Sequence, residues 1–320
     1  AEIESPGFLT LDPTGKILYA TGRQHKSDSL SAYRIERMNQ ATRLVLLNSQ
    51  PIGDGGAAHL ATDRAGRLLL SAQYGGSSVA VFALQEDGSI GKRLQLAKHK
   101  GAAGVVADRQ EAPHPHWVGT SPDNRFVFVP DLGLDAVVIY RLDADAVPPL
   151  TPAGQAVAPP GAGPRHMKFH PNGKFVYLLN ELALSVTAFS YDAEQGSMTT
   201  MQTIPTLSEA TKAKEPFVSA SEIRVHPSGN FVYAANRGHD SITVFEVQAD
   251  GKLKLVENES VRGSWPPNFN LDPTGKWLIA AGRDSNTLSV FAIDPSTGEL
   301  SYSGHTVPVP NPICVLFGKP

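Results

Sequence analysis

A chain of 320 residues, 41% hydrophobic and 18% charged, has ample material for a large buried core, and its net charge of -3 provides no general attraction to nucleic acid or anionic membrane. The single cysteine, Cys314, excludes an intrachain disulfide, which suits the cytoplasm and equally a disulfide-free periplasmic protein, with the lean toward cytoplasm. No run approaches the roughly 20 apolar residues of a membrane span, and no signal peptide is visible, although a chain that starts at Ala1 rather than methionine leaves room for a segment removed upstream.

The elements then repeat. Leu9 and Leu11 alternate into the turn Asp12-Pro13-Thr14-Gly15, and a second apolar run, Ile17–Ala20, follows it. The pattern returns in degenerate form at Asp63-Arg64-Ala65-Gly66. It comes back in full at Ser121-Pro122-Asp123-Asn124, His170-Pro171-Asn172-Gly173, His226-Pro227-Ser228-Gly229 and Asp272-Pro273-Thr274-Gly275. Proline presets φ at each turn, and Asp, Asn or Gly accepts the remaining turn conformations. Apolar residues four and two positions before the proline have the period of a strand, as in Met167 and Phe169, Ile223 and Val225, or Phe269 and Leu271. A second strand such as Phe231–Ala235 follows each turn. After a short polar loop come a third strand (Ser241–Phe245, Thr287–Phe291) and a looser fourth segment such as Leu253–Glu257. Helical periodicity is absent.

Six such repeats predict an all-β fold, a β-propeller of four-stranded antiparallel blades spanning residues 1–320 as one domain. Asn311–Phe317 reads as the first strand of a further repeat. The expectation is a seven-bladed propeller whose seventh blade is incomplete in this chain.

In a hairpin, residues equally far from the turn face one another. Positions five and six before the anchor, and nine and ten after it, should therefore meet at the end away from the turn. Five before stand Phe8, His59, Trp117, His166, Glu222 and Asn268; six before, His116, Arg165 and Ser221 among others. Nine after stand Gln73, Asp131, Asn180 and Asn236; ten after, Arg23, Tyr74, Glu181, Arg237 and Arg283. The first strand of a propeller blade lines the axis, so these groups are expected to ring one mouth of a central channel. Arginines there would hold a carboxylate or phosphate, and His or Glu would move protons. Polar residues that recur at strand ends also cap a channel and satisfy one another, which is the plainer reading of Arg23 and Arg283. Departures from the repeat point to function: Glu181 stands where three other repeats carry Arg, and His116, Arg165 and Glu222 are likewise individual. The expected substrate-binding set is His59, His166, Asp131, Asn180, Glu222, Asn236, Asn268 and Arg283.

Two long connections, residues 95–113 and 205–220, enter first strands from the polar end and are candidate lids. His114-Pro115-His116 offers two metal-ligand types without a third, so no metal is expected. The sequence holds no phosphate-binding glycine loop, nucleophile elbow or nucleic-acid motif. No cofactor, nucleic acid or membrane partner is expected.

Four stretches carry a resemblance: Arg109-Gln110-Glu111-Ala112-Pro113-His114-Pro115-His116, Gly161-Ala162-Gly163-Pro164-Arg165-His166-Met167, Asn180-Glu181-Leu182, and Asn236-Arg237-Gly238-His239-Asp240-Ser241-Ile242. With them the chain resembles the seven-bladed propeller lactonase family, of the 6-phosphogluconolactonase and carboxy-muconate lactonizing type. The resemblance covers essentially the whole chain. It implies cofactor-free hydrolysis of a small anionic sugar lactone, with His116, Arg165, Glu181 and Arg237 as catalytic residues. Arg165 and Arg237 would bind the anion and polarise the carbonyl, while Glu181 and His116 divide the roles of base and acid. The alternatives at this stage are a non-catalytic binding or scaffold propeller and a muconate-type cyclising enzyme; sequence does not separate hydrolysis from ring closure.

Overall fold

The computed structural model describes residues 3–24, 27–38 and 41–318, so Ala1, the residue at which the chain starts, lies outside it. Two compact units follow one another along the chain. Of the described residues, the first comprises those up to 155 together with 318, and the second residues 156–317.

The first unit carries three four-stranded antiparallel sheets, apart from the end of its last strand. They are β1–β4 (Leu9–Leu11, Ile17–Gln24, Ser27–Met38, Ala41–Pro51), β5–β8 (Ala57–Thr62, Leu68–Gln73, Ser78–Leu84, Ile90–Lys98) and β9–β12 (Gly119–Thr120, Phe126–Asp131, Ala136–Leu142, Leu150–Val157). The second unit carries β13–β16 (Pro164–Phe169, Phe175–Asn180, Ser185–Asp192, Ser197–Pro205), β17–β20 (Ser219–Val225, Phe231–Arg237, Ser241–Val247, Leu253–Ser260) and β21–β24 (Phe269–Leu271, Trp277–Gly282, Thr287–Ile293, Leu300–Pro308). In every sheet the strands pair in chain order, the meander of a propeller blade. The fourth strands run longer than the sequence pattern showed. Among the described residues, one short helix, α1 (Glu209–Lys212), and a single turn of 3-10 helix at Leu132–Leu134 interrupt the β structure.

The repeated turns are built alike. At the Asp- and Ser-led turns the residue before the proline position receives hydrogen bonds from the far side: Asp12 Oδ1 accepts from the Lys16 and Ile17 amides, Asp63 Oδ1 from those of Arg67 and Leu68, and Ser121 Oγ from those of Arg125 and Phe126, whereas His170 and His226 send Nε2 to the Gly229 and Gly275 carbonyls. The fourth turn residue lies in the left-handed region, where glycine is favoured: Gly15, Gly66, Gly173, Gly229 and Gly275, with Asn124 the non-glycine substitute. Six residues past the anchor, a buried tyrosine reaches across to the neighbouring sheet. Tyr19 donates to the Gly88 carbonyl, Tyr177 to Gly251 and Tyr233 to Gly298. Burial raises all three phenols above their usual range, so they remain donors. Between sheets lie apolar layers such as Tyr177, Leu179, Val186, Ile223, Val232 and Phe245.

No strand forms among described residues 309–318. The segment 311–317 is nevertheless held beside β21: Asn268 Oδ1 accepts from the Val315 amide at 2.8 Å, and Asn270 Nδ2 donates to the Val315 carbonyl at 3.0 Å.

Candidate active site

The equal-arm register needs one correction. In the fourth sheet, Pro164 pairs with Asn180 but His166 pairs with Leu179, so a bulge falls at Arg165. The same slip separates Ala57 from His59 and Ala220 from Ile223. Position nine after the anchor thus faces position seven before it, not five or six. A bulge leaves one residue outside the ladder and re-aims its side chain. Here it frees Arg165 to reach along the strand end.

In the second unit Arg165, His166, Glu181, Glu222, Arg237 and Asn268 of the predicted residues are linked in one chain of contacts, which Asn180, Asn236 and Arg283 do not join. Arg165 Nε donates to Glu181 Oε2 at 2.7 Å, and Arg237 Nη2 lies 3.1 Å from Glu181 Oε1. Arg165 Nη1 also donates to the Ser221 carbonyl, and Arg237 Nη2 to the Ala220 carbonyl at 3.0 Å. Burial, and then the neighbouring Arg237, push the Arg165 guanidinium down to about 10, with Glu181 opposing; it stays charged at neutral pH. Arg237 Nε is buried without a hydrogen-bond partner.

His166 joins this cluster to a second. Its Nε2 lies 3.4 Å from Arg165 Nη1 and its Nδ1 3.2 Å from Glu222 Oε1. Nδ1 donating to the carboxylate and Nε2 accepting from the guanidinium require the neutral ring. Burial holds the ring neutral, pushing its pKa down to about 4 although Glu222 pulls the other way. Glu222 is fully buried and receives Asn268 Nδ2, the Ile223 amide, Arg224 Nη2 at 3.5 Å and Lys168 Nζ at 4.0 Å. Burial opposes its charge, but Arg224, His166 and Lys168 outweigh it and hold the carboxyl well below its usual range. Burial and Arg224 push Lys168 down to about 7.

Asn180 and Asn236 are buried and serve their own hairpins. Each amide donates to two hydroxyls, Ser185 and Thr187 or Ser241 and Thr243. Arg283 forks onto Asp284 and faces the Trp265 indole at 5.3 Å, and Arg237 faces the same ring at 5.7 Å.

Sequence reasoning missed Trp265. It lies eight residues before an anchor, outside the columns, in a left-handed conformation (φ 55°) that precedes Pro266-Pro267. That crowded approach to β21 was the available signal. Phe217 stacks on the indole at 5.6 Å. It ends the 205–220 connection, which α1 anchors through Lys212 Nζ to the Ala183 carbonyl at 3.0 Å. Gly238 accommodates this segment, because a Cβ there would overlap the Phe217 carbonyl and its φ is +86°.

In the first unit the residues five before the anchor also meet, but as rings: Phe8 on His59 at 4.2 Å and His59 on Trp117 at 5.3 Å. His59 Nδ1 accepts from the Val118 amide at 3.4 Å. Asp131 caps the 3-10 turn through the Gly133 and Leu134 amides, accepts from the His114 amide and pairs with His99 Nδ1 at 2.6 Å. Its carboxylate is therefore committed to local structure. His116 lies edge-on to Tyr74 at 5.4 Å, and its amide donates to the Pro130 carbonyl at 3.0 Å. The 95–113 connection is pinned by buried Gln110, which donates to the Leu132 carbonyl and Asp135. A cavity of about 520 Å³ lies at the turn end of the first two sheets, lined by Asp12, Lys16, Arg34 and Asp87 among others, and holds none of the predicted site residues.

Four-stranded meanders of this construction, six times along the chain, are the blades of a β-propeller. The chain belongs to the seven-bladed β-propeller lactonase family, whose model, described as "Lactonase, 7-bladed beta-propeller", matches residues 1–317. It is 36% identical over 318 residues to the 6-phosphogluconolactonase of Bacillus subtilis (strain 168), covering 99% of this chain and 88% of the relative. It is 33% identical over 305 residues to that of Formosa agariphila, covering 93% and 84%. Among solved structures, the periplasmic gluconolactonase of Pseudomonas aeruginosa superposes with a TM-score of 0.88 at 31% identity, covering 98% of this chain and 88% of that one.

Proposed function

We propose that this lactonase hydrolyses a small anionic sugar lactone, of the kind named in its relatives, at the Arg165–Glu181–Arg237 cluster. One observation carries the reading: a single buried carboxylate is gripped by two guanidiniums. Two cations against one anion leave a unit of positive charge at this strand end. Arginine presents it in a planar fork suited to carboxylate or phosphate.

Hydrolysis balances simply. Water adds through oxygen to the lactone carbonyl carbon while its proton passes to a base, and the carbonyl π electrons move onto oxygen. On collapse the ring C–O bond breaks, and its electron pair stays on the ring oxygen, which takes up a proton. The product is the open hydroxy acid. In this reading Arg165 and Arg237 bind the anion and polarise the carbonyl, and Glu181 takes the proton of the water. Such general-base help contributes about 10²–10⁴-fold. His116 is assigned proton transfer from its place in the Arg109–His116 motif. His166, Glu222 and Asn268 support the cluster from beneath, and Arg283 works with Trp265 at its edge. The same proposal extends to the blade count: residues 1–320 act as one seven-bladed propeller, and 311–317 open the seventh blade beside β21.

The test is turnover of 6-phosphogluconolactone and of uncharged sugar lactones, followed by acid release against spontaneous hydrolysis. Turnover that favours the phosphorylated lactone, and falls in His116→Ala, is expected. No lactone opened faster than in buffer would overturn the reading.

A further inference from the structure

Ser219 opens β17 and stands directly across the ladder from Arg237, the last residue of β18. Partners across an antiparallel pair project to the same face, their Cβ atoms about 4.5–5.5 Å apart. The Ser219 hydroxyl is buried without a partner, and so is Nε of Arg237. Two unmatched donors therefore share one face, within the breadth of one side chain. Neither is free to turn elsewhere. Arg237 Nη2 is fixed by Glu181 and the Ala220 carbonyl, which sets the guanidinium plane. The Ser219 residue is 2% exposed, although its hydroxyl hydrogen rotates to suit an acceptor. Burying donors unmatched is unfavourable, and one oxygen with two lone pairs satisfies both.

We propose that Ser219 Oγ–H and Arg237 Nε–H form an oxyanion notch for the lactone carbonyl oxygen, making Ser219 a further catalytic residue. The notch rests on the lactone-hydrolysis reading above. Two donors match a single oxygen atom with its two lone pairs, whereas a phosphate with several charged oxygens calls for more donors than these two. A carbonyl oxygen gains its charge only as water adds. Donors placed there stabilise the transition state more than the bound substrate, so they raise kcat rather than lower KM.

The experiment is steady-state hydrolysis of 6-phosphogluconolactone by wild type, Ser219→Ala and Ser219→Thr, with a thermal scan of each. Ser219→Ala should lower kcat about 10²-fold, leave KM within about twofold and leave Tm unchanged; Ser219→Thr, which restores the hydroxyl, should recover most of kcat. A hydroxyl that merely holds structural water would lower Tm and leave kcat of the folded enzyme intact, and that result overturns the notch. A rise in KM alone also overturns it. Should Ser219→Ala fail to fold, Ser219→Cys, a weak donor of similar size, must show the same loss of kcat. Full kcat in Ser219→Ala beside a collapsed Glu181→Gln removes only the notch, whereas an inactive wild type removes the hydrolytic reading with it.

Discussion

Glu181→Gln tests the charge clamp most directly. Glutamine keeps the shape but offers one acceptor oxygen where two guanidiniums bind, at 2.7 and 3.1 Å, and turns N–H donors toward the other cation. Removing one partner of a buried ion pair costs about 3–5 kcal/mol. The lower end applies, because Arg165 retains the Ser221 carbonyl, Arg237 retains that of Ala220, and the Arg237 side chain is 14% exposed. Unfolding entropy of about 2.1 cal/mol/K per residue, taken over 320 residues, is roughly 0.7 kcal/mol/K. A loss of about 3 kcal/mol then lowers Tm by about 4–5 °C. Loss of the base lowers kcat by about 10²–10⁴-fold. Calorimetry and pH-stat assays read the two effects separately. The double variant Arg165→Met/Glu181→Gln should lose less stability than the two single losses combined, since the buried cation is gone. A Tm within about 1 °C of wild type, together with full kcat, would refute both the clamp and the base.

Two further predictions follow from the surroundings of the clamp. Trp265→Leu removes the ring that Arg237 and Arg283 face at 5.7 and 5.3 Å; at about 0.5–1 kcal/mol per cation–π contact, KM should rise about two- to fivefold with kcat nearly kept, and an unchanged KM refutes a positioning role. His166 has its folded pKa depressed from 6.5 to about 4 by burial, so its neutral form contributes stability in full above pH 6.5, lost as pH falls toward 4. About 2.5 units amount to roughly 3 kcal/mol; denaturation midpoints at pH 7.5 and 4.5 should differ less in His166→Gln than in wild type, and equal slopes refute it.

The blades were legible because their signals are local. An Asp-Pro-Thr-Gly turn between strands of period two needs nothing outside itself, and Asp12 and Asp272 close their own turns with side-chain hydrogen bonds. The charge columns were legible because the turn fixes the count along both arms. The bulge was not. Nothing in Pro164-Arg165-His166 announces that Arg165 leaves the ladder, since the slip appears only when that strand meets Leu179 and Asn180. Asp131 shows the opposite failure. It occupies a site column, but the tight Leu132–Leu134 turn claims its carboxylate. Trp265 was missed because a loop residue has no periodicity to place it.

The repeat fixes where a side chain goes, and the identity of the residue decides what that place does. Five positions before the anchor, Phe8, His59 and Trp117 meet as tilted rings, whereas His166, Glu222 and Asn268 meet as a hydrogen-bonded chain. The polar version is costly to bury and holds because its charges are paired, with one positive charge in excess at the Arg165–Glu181–Arg237 cluster. Glu222 faces Arg224 and Lys168, Arg165 faces Glu181, and neutral His166 donates to one cluster while accepting from the other. A protonated ring could not accept from Arg165, and its charge would oppose that guanidinium. The ring, kept neutral by burial, thus joins the two charged clusters at one strand end, while Arg165 is held on Glu181 and the Ser221 carbonyl, where the chemistry is proposed to occur.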